Sequence, residues 1–293
     1  MFYSIKNDCF KVEVCDIGAE LAAIHSVKTD TEYLWQGNPE FWTNRATVCF
    51  PICGRLFEGK YTYEGKTYEL PLHGIVRNML FDVEKQTESE IVLVTKACNK
   101  SKTFYPFSFI FKATYSLKGN TLVNKFEIIN TDDKVMPFSI GGHPGFNVPF
   151  TPEEKFEDYY LEFPYEKEVK RIQTSPRIFY TGVDKPYPLK DGKIIELDHE
   201  LFDNDAIFLT DMCNEVTLKS KKSDCSITVS FSDMTHLGFW QKYGKNTPFL
   251  CIEPWHGIPS IDGKIDDLST KLEMIRLEPG KTYTARFDIT VKE

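Results

Sequence analysis

The sequence predicts an all-β chain folded as a large antiparallel β-sandwich. Three observations carry that prediction: long runs of period-two alternation, turn residues between them, and little helical periodicity. Tyr61-Thr62-Tyr63 and Thr67-Tyr68-Glu69-Leu70 flank Glu64-Gly65, so the first clear hairpin falls there. In the second, Phe109, Phe111, Ala113, Tyr115 and Leu117 alternate with Ile110, Lys112, Thr114 and Ser116. Gly119-Asn120 tolerate positive φ, and Leu122, Asn124, Phe126 and Ile128 resume the alternation beyond them. Helical character is confined to short stretches such as Pro152 to Tyr159. The last strand follows Pro279-Gly280, with Tyr283, Ala285, Phe287, Ile289 and Val291 on one face.

No Pro- or Gly/Ser-rich linker and no repeat divides the chain, so residues 1–293 are read as one domain. All-β units of this order occur. A chain of this size buries roughly 75% of its unfolded surface, and 41% hydrophobic residues supply the core. The net charge of −8, with lysines scattered among more numerous carboxylates, argues against a nucleic-acid partner. The start, MFYSIKNDCFKVEV, carries no leader signal, and no run of 18 apolar residues suggests a membrane span. A cytoplasmic location is therefore expected, and the eight cysteines read as reduced thiols. Cys49 and Cys53 lack the companions of a zinc site, so no metal is expected. Nothing in the sequence bears on oligomeric state.

Three segments depart from ordinary alternation. Phe50-Pro51-Ile52-Cys53-Gly54-Arg55 and Leu70-Pro71-Leu72-His73-Gly74 imply shaped backbone that presents Arg55 and His73 to a cleft, or else a buried loop with a paired arginine. Ile140-Gly141-Gly142-His143-Pro144-Gly145-Phe146-Asn147 sets a histidine among glycines and a proline rather than on a regular strand face. Phe249-Leu250-Cys251-Ile252-Glu253-Pro254-Trp255-His256-Gly257 delivers a carboxylate into an apolar run, where burial is unfavourable unless the group is paired or used. Trp255 offers an apolar platform for a sugar's C–H face, while His256 has a less constrained setting.

These segments resemble the aldose 1-epimerase (galactose mutarotase) superfamily, most closely its LacX-like branch, through FPICGR, LPLHG, IGGHPGFN and CIEPWHG. Tyr33-Leu34-Trp35-Gln36 and Tyr105-Pro106-Phe107 extend the likeness over nearly the whole chain. The resemblance implies a galactose mutarotase-like supersandwich with an open cleft for a small-molecule sugar and no cofactor. It also implies Glu253 as general base, His143 as general acid, and Arg55 and His73 as sugar contacts. The substrate-binding aspartate falls on Asp203 or Asp205, with spacing slightly favouring Asp203.

Interconversion of α- and β-anomers needs the C1 hydroxyl deprotonated and the ring oxygen protonated. A carboxylate and an imidazolium on opposite sides of the sugar would do both, giving a bell-shaped pH profile that falls at low pH as Glu253 protonates and at high pH as His143 deprotonates. The competing readings are a noncatalytic carbohydrate-binding or regulatory protein, a glycoside hydrolase, which would want a second carboxylate, and a hexose-6-phosphate mutarotase. With Arg55 committed to sugar hydroxyls by the likeness, Arg45 and Arg77 are the arginines nearest it in sequence that could meet a phosphate, or else structural ion-pair partners, and an acidic chain gives an anion no long-range attraction. Neutral aldohexoses are therefore expected to be turned over better than their 6-phosphates.

Overall fold

The computed structural model describes residues 1–244 and 246–293. Among these residues two large sheets dominate. A nine-stranded sheet has Ser226–Ser232, Thr282–Lys292, Thr121–Asn130, Phe109–Lys118 and Glu90–Lys96 side by side at its centre. Its alternating runs are the ones legible in the sequence, and Lys118 pairs with Thr121 across the Gly119-Asn120 turn. The second sheet has seven strands: β1 (Ala46–Cys49), β2 (Ile140–Asn147), β3 (Val169–Thr174), β4 (Tyr180–Tyr187), β5 (Ile207–Thr210), β6 (His236–Trp240) and β7 (Phe249–His256). Their spatial order is β4-β3-β5-β6-β7-β2-β1, so strands distant in sequence, β7 and β2, meet near the middle.

Aromatic rings from the two sheets and their connecting loops fill a shared core. Phe50 packs on Phe111 with ring centroids 5.3 Å apart, and Phe126 on Phe287 at 5.9 Å. Burying such rings is the largest favourable contribution available to a chain of this kind.

Two expectations need correction. Residues 140–147 and 249–256 are regular strands, not irregular segments. Both lie inside a sheet covered on both faces, and all but the last residue of each are buried, which erases the polar alternation that marks a half-exposed strand. The stretch from Pro152 to Tyr159 holds only a 3-10 turn at Phe156–Asp158, whereas an α-helix occupies Asn99–Phe104. Six residues are too few to show a period.

Candidate active site

The antiparallel register of β2 and β7 sets Gly141 opposite Trp255 and Gly145 opposite Cys251, which brings His143 opposite Glu253. Thr47 of β1 lies on the other side of His143, Gly238 of β6 beyond Glu253, and Phe208 of β5 beyond Gly238. Cross-strand partners share a face. Thr47, His143, Glu253, Gly238 and Phe208 thus form one row across five strands. Two residues along lies the row Cys49, Gly141, Trp255 and His236. The glycines keep this floor low: a Cβ on Gly238 would stand 2.7 Å from Phe208 Cε1 and 3.2 Å from Glu253 Cβ. Gly142 points the other way, where a Cβ would meet the Phe287 ring at 2.6 Å, so one strand serves the core and the site on alternate residues.

Above the row is a cavity of about 260 Å³ whose wall includes His143, Glu253, Arg55, His73, Arg77 and Asp205. Glu253 is 1% exposed and His143 7%. His143 Nε2 lies 3.2 Å from Glu253 Oε2, in ion-pair range but without the alignment of a hydrogen bond. Neither carboxyl oxygen, nor His143 Nδ1, nor the Thr47 hydroxyl has a hydrogen-bond partner among the described residues. Each such buried group costs about 1–3 kcal/mol. Burial pushes the Glu253 carboxyl well above its usual range, and Cys49 and Asp205 add to the effect. Burial lowers His143 to about 3, against a contact with its own backbone, and Arg77 reinforces the lowering. Both shifts favour the neutral forms, so the pair's transferable proton belongs to the carboxyl rather than to the imidazole. The expectation of groups on opposite sides of a sugar is not met, because at 3.2 Å no ring passes between them. They converge on one point instead, which suits a reaction whose two oxygens are both bonded to C1.

His73 has φ of 61°, at the end of a loop that Gly74 closes against Phe50, where any side chain would collide with the Phe50 carbonyl. The Gly54 N–H donates to His73 Nδ1 at 3.3 Å. Burial, then the charges of His143, Arg77 and Arg55, hold the ring well below the usual histidine range. The neutral ring therefore carries its proton on Nε2, as a donor. Arg55 lines the same wall.

Of the two candidate aspartates it is Asp205 that reaches the cavity, contrary to the slight preference for Asp203. Asp205 is in the left-handed region at φ 69°, and its carboxylate accepts from the Ala206 N–H at 2.7 Å. Asp203 is exposed and lines only a neighbouring hollow shared with Arg171 and Tyr243. Sequence spacing does not register the turn that separates the two. Trp255 belongs to the wall but is 2% exposed and donates its Nε1–H to Gly142 O at 3.1 Å, so it is mainly a packed support. Sequence reasoning misses Trp42 and Trp240, which are only partly buried and also line the cavity. Trp42 lies against His143 with ring centroids 4.9 Å apart and planes 30° from parallel. Alternation along β6 was the available signal for Trp240; Trp42 follows a turn and had none.

Cys251 is also absent from the sequence reading. Its thiol, an imidazole nitrogen of His143 and a carboxyl oxygen of Glu253 all lie within 4.8 Å of one another, a donor set of the kind that holds zinc. No helix among the described residues is long and apolar enough to cross a membrane.

Comparison with known proteins agrees with this geometry. The chain is 32% identical, over 99% of both sequences, to the plasmid-encoded protein LacX of Lactococcus lactis. It superposes on a galactose mutarotase related enzyme of Lactobacillus acidophilus with a TM-score of 0.96 at 37% identity, covering 100% of this chain and 98% of the other. A galactose mutarotase-like protein of Lactobacillus casei gives 0.94 at 29% identity, with 100% of both chains covered. A sequence model described as aldose 1-epimerase matches residues 1–290. With the whole chain matched in sequence and in fold, this protein belongs to the aldose 1-epimerase family.

Proposed function

We propose that the protein is a mutarotase that interconverts the α- and β-anomers of an aldohexose, with Glu253 and His143 as the proton-transfer pair. The observation that carries this reading is the Glu253 carboxyl: it is 1% exposed, its oxygens lack partners, and it sits 3.2 Å from a histidine at the floor of an open cavity. Orphaned buried polar groups call for an explanation, and a bound substrate supplies one. The sugar enters with C1 at the pair. In the reacting state the shared proton is on His143 Nε2, which donates it to the ring oxygen while Glu253 removes the C1 hydroxyl proton. The C1–O5 bond breaks, the C1–C2 bond rotates, and the reverse transfers close the other anomer. The pair ends with the one proton it began with. Acid–base assistance of this kind contributes typically ~10²–10⁴-fold. His73 donates from Nε2, Asp205 accepts from hydroxyls, and Trp42 and Trp240 cover the apolar face, holding the ring in register.

NMR exchange or polarimetry on freshly dissolved α-glucose and α-galactose tests the reading. Acceleration in proportion to protein concentration is expected. Binding of sugars and sugar phosphates without acceleration of any would instead leave a noncatalytic binding protein on the same fold.

A further inference from the structure

The chain has seven arginines, and five are engaged. Arg45 donates to Gln36 O at 3.1 Å, Arg171 to Ala206 O at 3.4 Å and Arg276 to Ser269 O at 2.7 Å. Arg177 and Arg286 pair with Asp262 and Asp288, both at 2.6 Å. Arg55 and Arg77 are the exceptions: among the described residues neither guanidinium has a hydrogen bond or an ion pair, and both line the cavity that holds the catalytic pair. A partly buried guanidinium without a carboxylate is poorly compensated, and two on one cleft wall repel each other until an anion lies between them.

The wall is electrically divided. Both arginines act on His73, and Arg77 also on His143, whereas Asp205, the other acid of the wall, acts on Glu253. The backbone agrees: Arg55 follows Gly54, whose N–H donates to the His73 ring at 3.3 Å, and Arg77 lies four residues beyond His73. The backbone of Arg77 is fixed in a 3-10 turn, Val76–Asn78, against Gly18, where a Cβ would lie 2.6 Å from Arg77 O. The rings of His73 and His143 are 5.2 Å apart between centroids, so the arginine-bearing wall begins within a monosaccharide's span of the pair. In an aldopyranose bound with C1 at that pair, C6 is carried by C5, the other neighbour of the ring oxygen.

We infer that the cleft selects an aldose bearing an anionic group on C6, a phosphate ester or a carboxylate, held by Arg55 and Arg77 with the His73 Nε2–H as a third donor. Guanidinium groups suit either anion through paired N–H donors. This inference rests on the mutarotase reading and reverses the expectation that neutral sugars are preferred.

The test compares kcat/KM for galactose, galactose 6-phosphate and galacturonate by NMR exchange, in the wild type, R77A, R77K and R45A. The wild type is expected to favour one acidic sugar over galactose by at least ~10-fold, and which one it favours separates phosphate from carboxylate. R77A is expected to lower the acidic-to-neutral ratio by ~10–10²-fold, the scale of one charge-assisted contact. R77K should recover part of it, and R45A should leave the ratio unchanged. Inorganic phosphate should compete with the sugar in the wild type and not in R77A. Equal or faster turnover of galactose, with no competition by phosphate, overturns the anion site while leaving the mutarotase intact. If no sugar is accelerated, the mutarotase reading falls, and titration of tryptophan fluorescence with galactose and galactose 6-phosphate still decides: equal affinities overturn the anion site, and tighter phosphate binding lost in R77A sustains it.

Discussion

The two large sheets treat their polar groups in opposite ways. The nine-stranded sheet turns charges outward and pairs them: Lys112 meets Glu84 at 2.7 Å and Lys219 meets Glu162 at 2.5 Å, with side chains that retain contact with solvent. The seven-stranded sheet buries Glu253, His143 and Thr47 at its centre and leaves atoms of each without a hydrogen bond. Among the described residues the nine-stranded sheet leaves one buried side-chain atom without a partner, the Asn124 carbonyl oxygen, whereas the seven-stranded sheet gathers several such atoms at one cavity, as functional sites commonly do at some expense of stability.

The comparison breaks first at Glu253. Glu253→Gln keeps the shape and cannot take the proton, so anomer exchange should fall by at least ~10²-fold. His143→Asn should do the same, and the double variant should lose little more than either single, because the two residues share one proton. Additive losses in NMR exchange rates would show that they act separately.

The same substitution sharpens the stability side. The folded-state pKa of Glu253 is raised above its ordinary value of 4.5, so the folded protein holds a proton that the unfolded chain releases. The stability this proton brings is present below pH 4.5 and is lost as pH rises toward the raised folded value. Glu253→Gln does not titrate. Its Tm relative to wild type should therefore climb between pH 4.5 and 8 in thermal scans; a constant difference would mean that Glu253 is ionised in the folded protein.

A third test concerns the proton itself. His143, lowered to about 3, should show no change in its ring ¹⁵N shifts between pH 5 and 8 in the sugar-free protein. The rate should be level through neutrality, declining at high pH as Glu253 loses its proton and at low pH as His143 gains a second. This assigns the two limbs in the reverse order from the sequence-based expectation. Titration of His143 near its ordinary value of 6.5 would restore that expectation.

Smaller effects belong to the packing. Gly142→Ala pushes a methyl toward Phe287 and should destabilise by about 1–3 kcal/mol in urea unfolding. Lys112→Ala, on the outer sheet, should change stability by no more than about 1 kcal/mol, since exposed ion pairs contribute little.

The sheets also differ in how far the sequence disclosed them. The outer sheet was readable because half-exposed strands alternate, as Phe109–Lys118 does. The inner strands were noticed as anomalies: Ile140–Asn147 has no polar face, and its glycines and proline look like a loop until neighbours cover both sides. Glu253, His143, Arg55 and His73 stood out through their settings and the family likeness. The sequence narrowed the aspartate to Asp203 or Asp205 without choosing rightly, and did not point to Trp42 or Cys251, because these placements depend on a left-handed turn, a loop and a cross-strand register that only the folded chain creates.

The proposed proton-transfer pair is carried by two neighbouring strands, whereas Arg55, His73, Arg77 and Asp205 are carried by the connections around them. This divides the labour of adaptation. On the proposed reading, a lineage can retune which sugar it accepts by editing short loops, one residue at a time, without disturbing the register that sets His143 against Glu253. Reaction and diet can drift independently, and proteins that share the strands need not share a substrate.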